Sequence, residues 1–162
     1  MKVLIAYRSR YGVTESCAKT LAGRISSGAV LHDLRSSERQ SLEGFDIVLI
    51  GGSIYGGRIQ REIPAFCDRE RESLLSRKVG LFICCFYTGE RAAAEIQEAF
   101  PSWLTAHAFA REVLGGELSL SKLSFLDRIL VRTLVRPARN LFMIRTDAIE
   151  ELAAAVNALQ SG

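Results

Sequence analysis

Lys2-Val3-Leu4-Ile5-Ala6-Tyr7-Arg8-Ser9-Arg10-Tyr11-Gly12-Val13-Thr14 is where the fold is decided. Lys2–Tyr7 is a short apolar run with β-branched residues, bounded by charge, and predicts a strand. A polar loop with one glycine follows. Val13, Cys17, Leu21 and Ile25 then fall at i, i+4, i+8 and i+12, which predicts a helix over 13–26. Gly28 suits its end. The chain therefore begins as strand, loop and helix.

That unit recurs. Residues 29–34, Phe45–Gly51, Lys78–Tyr87 and 109–118 predict four more strands. Helices are expected at 61–76, with Pro64 tolerable in the first turn, and at 90–107, with a break at Pro101. A final helix is expected at 147–160, with Ile149, Leu152, Val156 and Leu159 inward. The strongest strands are near-continuous apolar runs, the mark of parallel strands covered on both faces. The expected fold is a three-layer α/β sandwich on a five-stranded parallel sheet. Residues 1–162 are expected to form one domain, with an insert at about 119–145.

Composition fits this. Of 162 residues, 48% are hydrophobic and 24% charged, so global disorder is excluded. No apolar run approaches the roughly 20 residues of a membrane span. The N-terminal apolar stretch is too short for a signal peptide, and a cytoplasmic location is expected. Cys17, Cys67, Cys84 and Cys85 form no CxxC pair, and His32 and His107 stand apart, so no metal site is expected.

Ligands of open α/β sheets bind beyond the carboxyl ends of the strands. Three loops there are candidates. Ser9-Arg10-Tyr11-Gly12-Val13-Thr14 joins the first strand to the first helix, whose N-terminus offers free N–H groups to a phosphate. It lacks both the Gly-Lys-Ser/Thr of a triphosphate loop and a G-x-G-x-x-G fingerprint. Ser53-Ile54-Tyr55-Gly56-Gly57 follows the third strand, and its glycines permit close approach to a flat ligand. Phe86-Tyr87-Thr88-Gly89 follows the fourth. Tyr55 and Tyr87 are the candidates to cover the two faces of a planar ring.

Charge is uneven. Lys122, Arg128, Arg132, Arg136, Arg139 and Arg145 meet only Asp127, a local +5 in a chain of net +3. Residues 119–136 predict an amphipathic helix, with Leu123, Leu126, Leu130 and Leu134 on one face and Arg128, Arg132 and Arg136 on the other. A basic helix of this kind suits a membrane surface, and equally a helix packed on its own domain or against a second subunit. It lacks interleaved stacking aromatics, so nucleic acid is not an expected partner.

The Ser9–Thr14 loop resembles that of the flavodoxin family, Ser/Thr-x-Thr-Gly-x-Thr, with Tyr11 in place of the central threonine. The resemblance implies FMN as cofactor and strand order 2-1-3-4-5. Ser9, Arg10, Tyr11, Gly12, Val13 and Thr14 would then lie at the phosphate. Ser53, Ile54, Tyr55, Gly56, Gly57, Phe86, Tyr87, Thr88 and Gly89 would lie at the ring. Ile50–Gly57, together with Gly116-Glu117-Leu118 and Phe125-Leu126-Asp127-Arg128, is similar to the menaquinone-dependent protoporphyrinogen oxidase branch. That similarity implies an oxidoreductase acting on a small-molecule redox substrate such as protoporphyrinogen IX. Its acceptor would be a quinone, reached by peripheral membrane contact through 119–136. No catalytic residue is assigned, because the flavin carries the chemistry. The alternatives are a flavodoxin-type electron carrier and a regulatory domain that has lost FMN.

Overall fold

In β1 (Val3–Arg8), alternate residues enter two different cores, and this organises the molecule. The computed structural model describes residues 1–118 and 141–162. Val3, Ile5 and Tyr7 pack with Cys17, Leu21, Ile149, Leu152 and Val156 on one side of the sheet. Leu4 and Ala6 pack with Ile63, Phe66, Leu74, Ile96 and Leu104 on the other. A strand buried on both faces must be apolar throughout, as Val3–Tyr7 is.

Around β1 lie β2 (Val30–Asp33), β3 (Ile47–Tyr55), β5 (Lys78–Cys84) and β6 (Ala110–Val113), in the order β2-β1-β3-β5-β6. All of these neighbours are parallel, with Val3 opposite Ile47 and Ile47 opposite Lys78. This is the expected five-stranded sheet and order. A short β4 (Arg58–Ile59) folds back antiparallel on the end of β3. Helices α1 (Val13–Arg24) and α6 (Thr146–Ser161) cover one face. Helices α2 (Glu62–Arg69), α3 (Arg71–Leu75), α4 (Gly89–Ala99) and α5 (Ser102–His107) cover the other.

Several boundaries differ from the sequence expectation. The 61–76 helix divides at Glu70, whose φ −98° and ψ 16° leave the helical region. The 90–107 helix does break at Pro101, which precedes α5 and cannot continue the ladder of α4. The strand at 78–87 ends at Cys84. The strand expected at 109–118 is two strands. Gly115, at φ 99°, turns the chain out of the sheet after Leu114, a conformation that side chains rarely adopt. β7 (Gly115–Leu118) then pairs antiparallel with β8 (Leu141–Ile144), so part of the expected insert is a ribbon. The helix expected at 119–136 lies outside the described residues.

Close packing fixes β3 against β5. A Cβ on Gly51 would fall 2.1 Å from the ring of the fully buried Phe82. Gly51 is thus the space into which Phe82 fits.

Candidate functional site

The carboxyl ends of β1, β3 and β5 converge on a cleft open to solvent. Its lining is Ser9, Tyr11, Val13 and Thr14 from the first loop, Ser53, Ile54 and Tyr55 from the second, and Cys84, Cys85, Phe86 and Gly116.

The first loop leaves the start of α1 uncapped. Gly12 sits at φ 95° immediately before α1, and its N–H donates to Ser9 Oγ at 2.9 Å. No side chain caps α1. The first-turn amides of a helix have no intrahelical acceptor, and its dipole favours negative charge there. Inside the same loop, Thr14 is fully buried and its Oγ1 makes no hydrogen bond of normal geometry, with the weakly bonding Cys84 thiol close by. A buried hydroxyl left unmatched costs about 1–3 kcal/mol. An acceptor placed at this helix start would satisfy it.

Arg10 is exposed and lies over two aromatic rings. Its guanidinium lies 4.8 Å from the Tyr55 ring centre and 5.4 Å from that of Tyr11. The two tyrosine rings are 5.3 Å apart and tilted by 53°. Cation and rings together tie the first loop to the second.

In the second loop, Gly56 and Gly57 do not line the cleft. They are the two central residues of the β3–β4 hairpin, at φ 56° and 73°, where both turn positions need the left-handed region. Tyr87, expected over the second ring face, also lies outside the lining. Its ring sits under the Arg91 guanidinium at 3.5 Å, and Phe86 takes its place at the cleft. Thr88 and Gly89 are exposed and open α4.

The cleft floor holds thiols. Cys84 is held well above the usual thiol value by its hydrogen bond with Cys17 and then by burial, and burial pushes Cys85 up as well. Both are therefore neutral, apolar lining. Gly116 closes the floor: a Cβ there would meet the Cys85 carbonyl oxygen at 2.6 Å.

Sequence reasoning missed two contributors. Gly116 is invisible as a site residue without the bend at Gly115. Gln60 is the other: its Oε1 accepts from the Ser53 N–H at 3.1 Å, and its Nε2 donates to Ser53 Oγ at 2.5 Å. The paired glycines Gly56-Gly57 are a two-residue hairpin signal that would have turned Gln60 back beside Ser53.

Uncapped helix amides beside an aromatic-edged cleft, at the carboxyl ends of a doubly wound sheet, are what a nucleotide-binding α/β protein presents. A family model described as a flavodoxin domain matches residues 4–141, and the chain belongs to that family of FMN-binding proteins. Solved structures share the fold. A flavodoxin from the domain Archaea aligns over 100% of both chains, at 14% identity and TM-score 0.55. The flavodoxin, WrbA-like protein from Agrobacterium tumefaciens aligns over 97% of this chain and 98% of its own, at 16% identity and TM-score 0.56. Rubredoxin oxygen:oxidoreductase from Desulfovibrio gigas aligns over 97% of this chain, at 16% identity and TM-score 0.56, and this chain spans only 37% of its length.

FMN also passes a chemical test here. The unmatched Thr14 hydroxyl and the uncapped α1 terminus ask for an acceptor with negative charge, and a phosphate monoester supplies both. Among the described residues no helix is long and apolar enough to cross a membrane.

Proposed function

We propose that this chain is an FMN-dependent oxidoreductase that oxidises a hydrophobic reduced substrate of the protoporphyrinogen IX type and delivers the electrons to a quinone. Bound FMN would supply the two-electron chemistry. The protein's part is to bind, orient and shield. Ser9, Gly12, Val13 and Thr14 would hold the phosphate, with Arg10 and Tyr11 stacked at its rim. Ser53, Ile54, Tyr55 and Phe86 would border the ring, beside the neutral Cys84 and Cys85 thiols. No side chain is required as general acid or base.

The observation that carries the reading is Gly116. It lines the cleft and belongs to the ribbon whose strands flank 119–140. In sequence, the basic, leucine-rich stretch 119–136 follows that ribbon strand directly. A quinone and a porphyrinogen both partition to membrane surfaces, where basic residues meet anionic lipid.

The test is a spectrum of the protein with added FMN, followed by anaerobic mixing with protoporphyrinogen IX and then a menaquinone analogue. Flavin absorbance that bleaches with the first and recovers with the second is the expected result. Bound flavin that responds to neither would replace this proposal with the electron-carrier function. Co-sedimentation with anionic vesicles tests the membrane contact separately.

A further inference from the structure

Gln60 stands outside the cleft lining and makes two hydrogen bonds to one residue within it. The chemistry of those bonds leaves one arrangement. The Ser53 backbone N–H can only donate, so the Gln60 atom facing it at 3.1 Å is the amide oxygen. The other atom of that amide is then the NH₂, which can only donate, and Ser53 Oγ receives it at 2.5 Å. The serine hydroxyl is used as an acceptor on that side, and its own proton must point elsewhere.

The backbone makes room for this clamp. β1 pairs with β3 only as far as Arg8 opposite Gly52, so Ser53 lies one residue beyond that ladder. The Gly56-Gly57 turn brings β4 back, and Gln60 follows directly. A Cβ on Gly52 would meet Ile59 Cγ1 at 2.8 Å and Gln60 Oε1 at 2.9 Å. Gly52 is therefore the gap through which Gln60 reaches Ser53.

We infer that Gln60 is a positioning residue: it holds Ser53 so that the serine hydroxyl is a fixed hydrogen-bond donor into the cleft, aimed at an acceptor atom on the ring of the bound flavin. The inference rests on FMN occupying this cleft. A donor held in place before the ligand arrives loses no rotamer freedom on binding. It would also favour whichever oxidation state carries more negative charge at the contacted atom.

Three variants separate this from a packing role: Ser53→Ala, Gln60→Ala and Gln60→Glu. In Gln60→Glu the carboxylate still accepts the Ser53 N–H. Its second oxygen now also accepts, so the serine proton turns toward it and away from the cleft. The variant should keep the thermal midpoint of the flavin-free protein, yet bind both FMN and riboflavin about tenfold more weakly, as a lost hydrogen bond implies. Ser53→Ala should show the same loss, and Gln60→Ala should add faster amide exchange across 53–59 in the flavin-free protein. Equal weakening for FMN and riboflavin is required, because Ser53 borders the ring and not the phosphate.

Gln60→Glu with wild-type affinity for both flavins would overturn the inference while leaving FMN binding intact. A loss confined to FMN would overturn it too, since the effect would then belong to the phosphate side. A wild-type protein that shows no flavin spectral shift would overturn the flavin assignment itself, an outcome recognisable before any variant is made.

Discussion

Thr14→Val should make the flavin-free protein more stable and the flavin complex weaker, and the opposite signs are the point. Thr14 has no exposed surface, and its Oγ1 is the buried side-chain oxygen that makes no hydrogen bond of normal geometry among the described residues. Valine keeps the shape and the β-branch and replaces the hydroxyl by a methyl. Removing the unmatched group should recover about 1–3 kcal/mol of its desolvation cost. For a chain of this size each kcal/mol raises the melting midpoint by about 2–4 °C. In the complex the same hydroxyl would donate to a charged phosphate, a bond of about 1.5–3 kcal/mol, so FMN should bind about 10- to 150-fold more weakly. Riboflavin, which has no phosphate, should lose little. Differential scanning of the flavin-free protein gives the first quantity, and fluorescence titration with both flavins gives the other two. A Thr14→Val protein that melts lower and binds FMN as well as wild type would refute the phosphate assignment of the Ser9–Thr14 loop.

Three further outcomes are expected. Gly51→Ala drives a methyl into the Phe82 ring and should cost about 3 kcal/mol in urea unfolding, with no loss of cooperativity. Gly116→Ala meets a backbone oxygen that cannot rotate away, so β7 must shift. FMN titration should then show about tenfold weaker binding, with about 1–3 kcal/mol of stability lost. Glu112 is held above the ordinary glutamate value of 4.5, first by burial and then by Glu151 and Asp147, with Arg145 opposing. The folded state therefore binds the proton more tightly than the unfolded chain, and stability falls as pH rises from 4.5 through the raised value. Glu112→Gln should flatten that fall in pH-dependent unfolding and gain stability at pH 7 but not below pH 4.

The sheet was legible because its strands carry one unmixed signal. Ile47–Ile50 and Val79–Ile83 are apolar on both faces and admit no other assignment. The Ser9–Thr14 loop could be singled out as a candidate because Ser9, Gly12 and Thr14 lie within six residues of one another. What was hidden depended on single backbone angles or on distant partners. Gly115 looks like any strand residue until its φ of 99° takes the chain out of the sheet. Tyr87 and Phe86 are adjacent aromatics, and only the end of β5 at Cys84 decides which one reaches the cleft. Gly56 and Gly57 signal a flat ligand or a hairpin equally well, and the hairpin brings with it Gln60, seven residues from the serine it holds.

The β7–β8 ribbon gives the molecule a seam. Leu118 and Leu141 are cross-strand partners, so the chain leaves and re-enters at one point. Loop-closure entropy rises by only about 0.6 kcal/mol for each doubling of length. Lengthening or shortening the stretch between Leu118 and Leu141 would therefore cost the ribbon little in closure entropy, because its two ends are already held side by side.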